Sequence, residues 1–134
     1  LKINSCLLPY SKVTILNIFK NILYVNKIKG LIHITGDVHY VAINPFKNTI
    51  LTIHDVRSAL HGNKIERFVK KIGWFWLPAI FAKKITVISE FSKTELLEIV
   101  PWAKNKITII GMTKLRYQYF YADLYLKDNL AQKV

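Results

Sequence analysis

Three short polar stretches carry the residues whose types and spacing suit chemistry: Gly36-Asp37-Val38-His39, His54-Asp55 and Ser89-Glu90-Phe91-Ser92. An imidazole beside a carboxylate can bind a hydroxyl, move a proton or ligate a metal. Serine hydroxyls at the amino end of a helix can hold a phosphate or a sugar hydroxyl. These stretches lie far apart in the chain, so the fold must bring them together before they can act as one site.

The elements that would do so are legible. Each stretch follows a short apolar run rich in β-branched residues: Leu31-Ile32-His33-Ile34, Thr49-Ile50-Leu51-Thr52-Ile53 and Ile85-Thr86-Val87-Ile88. A fourth run, Ile107-Thr108-Ile109-Ile110, ends at Gly111. Runs of about five such residues have the length and shape of buried strands. Strand, polar turn and helical pattern in repetition predict parallel βαβ units, whose crossovers share one hand and deliver every carboxyl end to the same side. The expected fold is α/β: a Rossmann-like domain with a mostly parallel sheet flanked by helices. His54, Asp55, Gly36, Asp37, Ser89 and Ser92 would then be neighbours around one crevice.

Helical patterns lie between the strands. Ile15, Ile18, Phe19, Ile22 and Tyr24 or Val25 predict a helix within Ser11–Lys29 that packs on the sheet, with Gly30 as its stop. His33, inside an apolar run, reads as a hydrogen-bonded core or half-buried histidine. Gly36 suits a tight turn, and Asp37 suits either the cap of a short helix from Val38 or a catalytic carboxylate. The polar stretch Val56–Asn63 is long enough to close over a ligand. Ile65, Phe68, Val69, Ile72, Phe75 and Trp76 then predict one buried stripe on a long helix, kinked or restarted at Pro78. Ser92 with Glu95 reads as a capping box for the next helix, which Pro101 ends. A weaker, aromatic-rich pattern suggests a helix in the tail, giving an expected division into a domain over 1–112 and a tail over 113–134.

Composition narrows the function classes. Lys and Arg number 20 against 8 Asp and Glu, for a formal charge of +12. Such an excess favours an anionic partner, although dispersed lysines are also an ordinary solvated surface. On the long helix, Arg67, Lys70, Lys71 and Trp74 could rest on an anionic membrane surface, or could be the plain exterior of a core helix. No run reaches the ~18 uncharged apolar residues of a membrane span. Cys6 is the single cysteine, which excludes an internal disulfide and a cysteine metal site and fits a reducing, cytoplasmic location, at the inner face of the membrane if lipid contact is made. No nucleic-acid-binding motif is present. The first residue is not methionine, and the chain is expected to be a fragment whose start lies upstream.

In order and spacing, His33-Ile34-Thr35-Gly36-Asp37-Val38-His39, Leu51-Thr52-Ile53-His54-Asp55, Val87-Ile88-Ser89-Glu90-Phe91-Ser92-Lys93 and Lys106-Ile107-Thr108-Ile109-Ile110 resemble the amino-terminal domain of retaining glycosyltransferases of family 4, the group-1 type. The resemblance runs from about Gly30 to Ile110 and implies half of a GT-B fold, in which two Rossmann-like domains face each other across a cleft. It implies transfer of a hexose from a nucleoside diphosphate sugar to a saccharide or lipid-linked acceptor, with no cofactor and no metal held by this half. His54 matches a cleft histidine that contacts the donor sugar, and Asp55 a residue that orients the following loop. Ser89, Glu90 and Ser92 match a serine-containing turn facing the cleft, and Gly36 with Asp37 a turn on the acceptor side. The glycine-rich first strand of the family is not visible before Leu31, and Gly111-Met112-Thr113 stands where an asparagine-containing turn is expected. The nucleotide-binding second domain with its paired glutamates is not in this sequence, so the chain by itself is expected to be inactive. Two rivals remain: a basic peripheral membrane-binding module without catalysis, and a metal-dependent phosphoesterase built on Asp37, His39, His54 and Asp55.

Overall fold

A computed structural model of the protein describes residues 4–111. The tail helix expected over 113–134 lies outside the described residues. Strands β1 (Ile32–Ile34), β2 (Thr49–Ile53), β3 (Lys84–Val87) and β4 (Ile107–Ile109) form a four-stranded sheet in chain order, every pair parallel. The α/β expectation therefore holds: strands alternate with helical connections and all carboxyl ends share one edge.

Side chains alternate across a strand, so the register sorts them into two faces. Ile34, Leu51, Ile53, Ile85, Val87 and Ile107 share one face, and all are buried with Val25, Phe75, Ala79, Leu96 and Ile99 from the helices. His33, Ile50, Thr52, Lys84, Thr86 and Thr108 share the other. That second face is polar, with His33, Lys84 and Thr108 exposed. His33 Nε2 meets Thr52 Oγ1 at 2.7 Å, and Thr52 Oγ1 meets Thr86 Oγ1 at 2.7 Å, forming a chain across three strands. His33 is thus hydrogen-bonded as expected, but on the exposed face and not in the core. The sheet lowers its pKa from the ordinary imidazole value by desolvating the ring.

Helix α1 (Ile15–Asn26) begins at the first residue of its apolar pattern, because Thr14 Oγ1 accepts the amide of Asn17 at 3.2 Å and sets the cap there. Gly30 ends the segment with φ 96°, a conformation other residues rarely adopt. Burial corrects the expected stripe: Val25 and Asn21 are buried, whereas Ile15 is 90% exposed and Phe19 is exposed. Asn21 tolerates burial because its side chain accepts from the Tyr10 amide and donates to Tyr10 O and Tyr40 Oη.

The longest helical run spans 64–81 in three parts: α2 (Lys64–Lys70), a π-helical turn (Lys71–Trp76) and α3 (Leu77–Phe81). Asn63 Oδ1 accepts the Glu66 amide at 2.8 Å and opens the run. Pro78 lies in the first turn of α3, where a missing N–H is tolerated, so the helix widens ahead of it and restarts. Of the stripe expected along the run only Phe75 is buried, Ile72 is half-buried, and Ile65, Phe68, Val69 and Trp76 are exposed. Phe75, Pro78 and Ala79 are buried, while α2 has no buried residue. At the far end Lys106 Nζ donates to the carbonyls of Ala79, Ile80 and Ala82, closing α3.

Candidate functional site

Parallel pairing brings the turns after β1, β2 and β3 to one edge, and side-chain hydrogen bonds link them. Thr35 directly follows β1 and His54 directly follows β2. His54 Nε2 lies 3.1 Å from the Thr35 carbonyl, so that ring nitrogen carries the proton. From the third turn, Ser92 Oγ donates to the His54 carbonyl at 3.0 Å. The half-buried imidazole is thus tied at its ring to one strand end and at its backbone to a helix.

That helix, α4 (Glu90–Ile99), differs from the sequence expectation in its cap. Ser89, not Ser92, is the capping residue: its Oγ accepts the Ser92 amide at 3.1 Å. Ser92 sits inside the first turn, 5% exposed, with its hydroxyl turned onto β2. Its only proton goes to His54, so the 3.0 Å contact between the two hydroxyls has Ser89 as donor. Ser89, Ser92 and His54 therefore form one hydrogen-bonded chain. Glu90 is exposed and lies 4.0 Å from Lys93, a weak surface pair.

The turn after β1 is built differently from its expectation. Gly36 does not use a positive φ, and a Cβ there would meet Val38 at an ordinary 3.8 Å. Asp37 caps nothing with its side chain, and a 3-10 turn at His39–Ala42 replaces the short helix. The carboxylate is exposed, leaving it available to solvent and ligands. Asp55 is also exposed, and its Oδ1 accepts the Arg57 amide at 3.0 Å, which shapes the loop after β2.

His39, the last residue of the first polar stretch and a metal-ligand candidate by its type, is 3% exposed beneath this edge. Its Nδ1 faces the Trp74 carbonyl at 3.2 Å, and its ring meets Phe75 edge-on. Trp74 O is the carbonyl an ordinary α-helix would pair with residue 78, and Pro78 has no N–H to give. The histidine fills that gap. Burial lowers its pKa from the ordinary imidazole value, against the opposing pull of Asp37, the Trp74 carbonyl and Asp55 and with a further lowering by His54. With Nδ1 protonated toward that carbonyl, it supports the edge from below. Pro78 inside an apolar helical pattern, four residues after Trp74, is the sequence signal that could have marked this partner.

Trp74 does not face outward as a membrane tryptophan would. Its ring packs edge-on against Tyr40, and its indole N–H donates to Asp37 O at 3.4 Å, so the aromatic helix stabilises the Asp37 turn. Lys70 and Lys71 are half-buried and Arg67 is exposed. Among the described residues no group of three or more His, Cys, Asp or Glu is gathered to hold a metal ion. No helix among them is long and apolar enough to cross a membrane. A scan against protein-family models finds none that matches the chain, and no curated protein and no solved structure matches it.

Proposed function

We propose that this chain is the acceptor-side half of a retaining glycosyltransferase cleft, acting on a nucleoside diphosphate hexose and a saccharide or lipid-linked acceptor. One observation carries the reading: a half-buried histidine at the carboxyl edge of a parallel sheet, held through its ring by Thr35 and through its carbonyl by Ser92. Retaining transfer passes through a cationic sugar with negative charge growing on the leaving phosphate. Such a reaction asks the protein mainly to position groups and offset charge.

In this reading His54 is a sugar-contacting residue, presenting a fixed imidazole to a hydroxyl near the transferred carbon. Ser89 and Ser92 hold His54 in place, while the exposed Asp37 and Asp55 accept hydroxyl protons from the acceptor. The nucleotide would be held by a second domain facing this edge, the half-GT-B arrangement that the sequence resemblance implies.

The test is NMR mapping on the chain with a panel of saccharides and nucleotide sugars, with His54→Ala beside it. Shifts should concentrate at Thr35, His54, Ser89 and Ser92 for a saccharide acceptor, vanish in His54→Ala, and stay weak for the free nucleotide. No saccharide response at that edge, or a response unchanged by the substitution, sinks the proposal.

A further inference from the structure

An exposed side chain on a helix is ordinary; an exposed apolar face bordered by cations is not. On α2, Ile65 is 75% exposed, Phe68 64% and Val69 56%, and no residue of the helix is buried. These three positions, spaced by three and four residues, lie on one side of the helix. Lys64, Arg67 and Lys71 run along the edge of that side and surround Phe68 in a shallow open depression. Glu66, the acid of this helix, is engaged with the Asn63 cap. The cations therefore have no acidic side chain balancing them within the depression, whose lining consists of Lys64, Arg67, Phe68 and Lys71.

We infer that α2 docks this protein on an anionic lipid bilayer, with Ile65, Phe68 and Val69 entering the headgroup region and Lys64, Arg67 and Lys71 pairing with lipid phosphates. Helices that lie in a membrane interface combine these features: bulky apolar side chains on one side and cations at its border. The alternatives fit less well. A second copy of the chain would set Lys64, Arg67 and Lys71 against a surface of the same sign, on a molecule of formal charge +12. Nucleic acid would engage the cations but leave Ile65 and Val69 against water. A bilayer satisfies both sets of groups at once. The assignment replaces Trp74, which is turned inward, with residues whose outward placement the sequence pattern concealed. It stands apart from the glycosyl-transfer reading, since it uses none of the residues at the sheet edge.

The test is co-sedimentation of the full chain with vesicles of neutral phosphatidylcholine and with vesicles containing phosphatidylglycerol, neither carrying saccharide or nucleotide. Binding should require the anionic lipid and fall steeply as salt is raised. Phe68→Ser with Val69→Ser should lower partitioning more than tenfold. Arg67→Gln with Lys71→Gln should lower it about fivefold for each cation removed. Circular dichroism should be unchanged in both, since the mutated side chains leave the core untouched. Equal affinity for neutral vesicles, absence of binding, or binding that survives both pairs of substitutions overturns the inference. Capture of single-stranded nucleic acid or an acidic peptide in preference to vesicles, lost in the same variants, overturns it in favour of that partner. A failed saccharide titration with intact vesicle binding would remove only the transferase proposal, and the converse only this one.

Discussion

The two ends of the helical run 64–81 share one apolar periodicity and meet opposite fates. At the far end Phe75 is fully buried and edge-on to His39, and Pro78 and Ala79 are buried beside it. At the near end Ile65, Phe68 and Val69 stand in solvent. Periodicity fixes which side chains share a face, but what that face meets depends on where the helix starts relative to the sheet. The π-helical turn between the two ends, imposed ahead of Pro78, also shifts one end's face relative to the other.

The contrast breaks first, and with the largest effect, at Phe75. Phe75→Ala should destabilise the fold by about 3–5 kcal/mol in urea unfolding, because it leaves a cavity in a closed core. Phe68→Ala should change stability by less than about 0.5 kcal/mol, as surface changes usually do. Similar losses at the two positions would show that α2 is packed in solution after all.

Next in size is the closure of α3 at the amino edge of the sheet, opposite the candidate site. Lys106→Met keeps the aliphatic stem but strips three carbonyls at the end of α3 of their donor, and should cost about 1–3 kcal/mol. A loss no larger than that of an exposed lysine such as Lys104 would mean that water serves these carbonyls as well.

A smaller and more specific effect concerns pH. The folded-state pKa of His39 is lowered below its unfolded value, so its contribution is complete above about pH 6.5. As pH falls below that value the unfolded chain binds the proton first, and stability is lost until the folded-state pKa is passed. His39→Gln can still donate to Trp74 O but cannot titrate. Stability measured between about pH 5 and pH 7.5 should therefore slope less in His39→Gln than in the parent. Parallel slopes would mean that His39 is not the group responsible.

The sheet edge was the most legible part of the molecule. Thr49-Ile50-Leu51-Thr52-Ile53 and its companions announce strands through β-branching, and the helical patterns between them require parallel pairing. His54, Ser89 and Ser92 meet for that reason alone. Their roles within the meeting were not legible. The capping pattern around Ser92 and Glu95 resembled a helix start as well as Ser89 did, and only the backbone shows that Ser89 accepts the amide while Ser92 reaches back to β2. Asp37 likewise had the composition of a cap, yet the chain enters a 3-10 turn instead.

What the sequence by itself determined is the class of fold, the direction of its strands and the edge where its polar turns gather. These depend on local shape preference and on the handedness of crossovers, which act within a few neighbouring elements. Tertiary structure alone decided that Asn21 lies inside while Ile15 lies outside, that His39 serves a carbonyl left over by Pro78, and that Phe68 is bare while Phe75 is enclosed. Each of these depends on distances between segments far apart in the chain, and a hydrophobic pattern carries no measure of such distances.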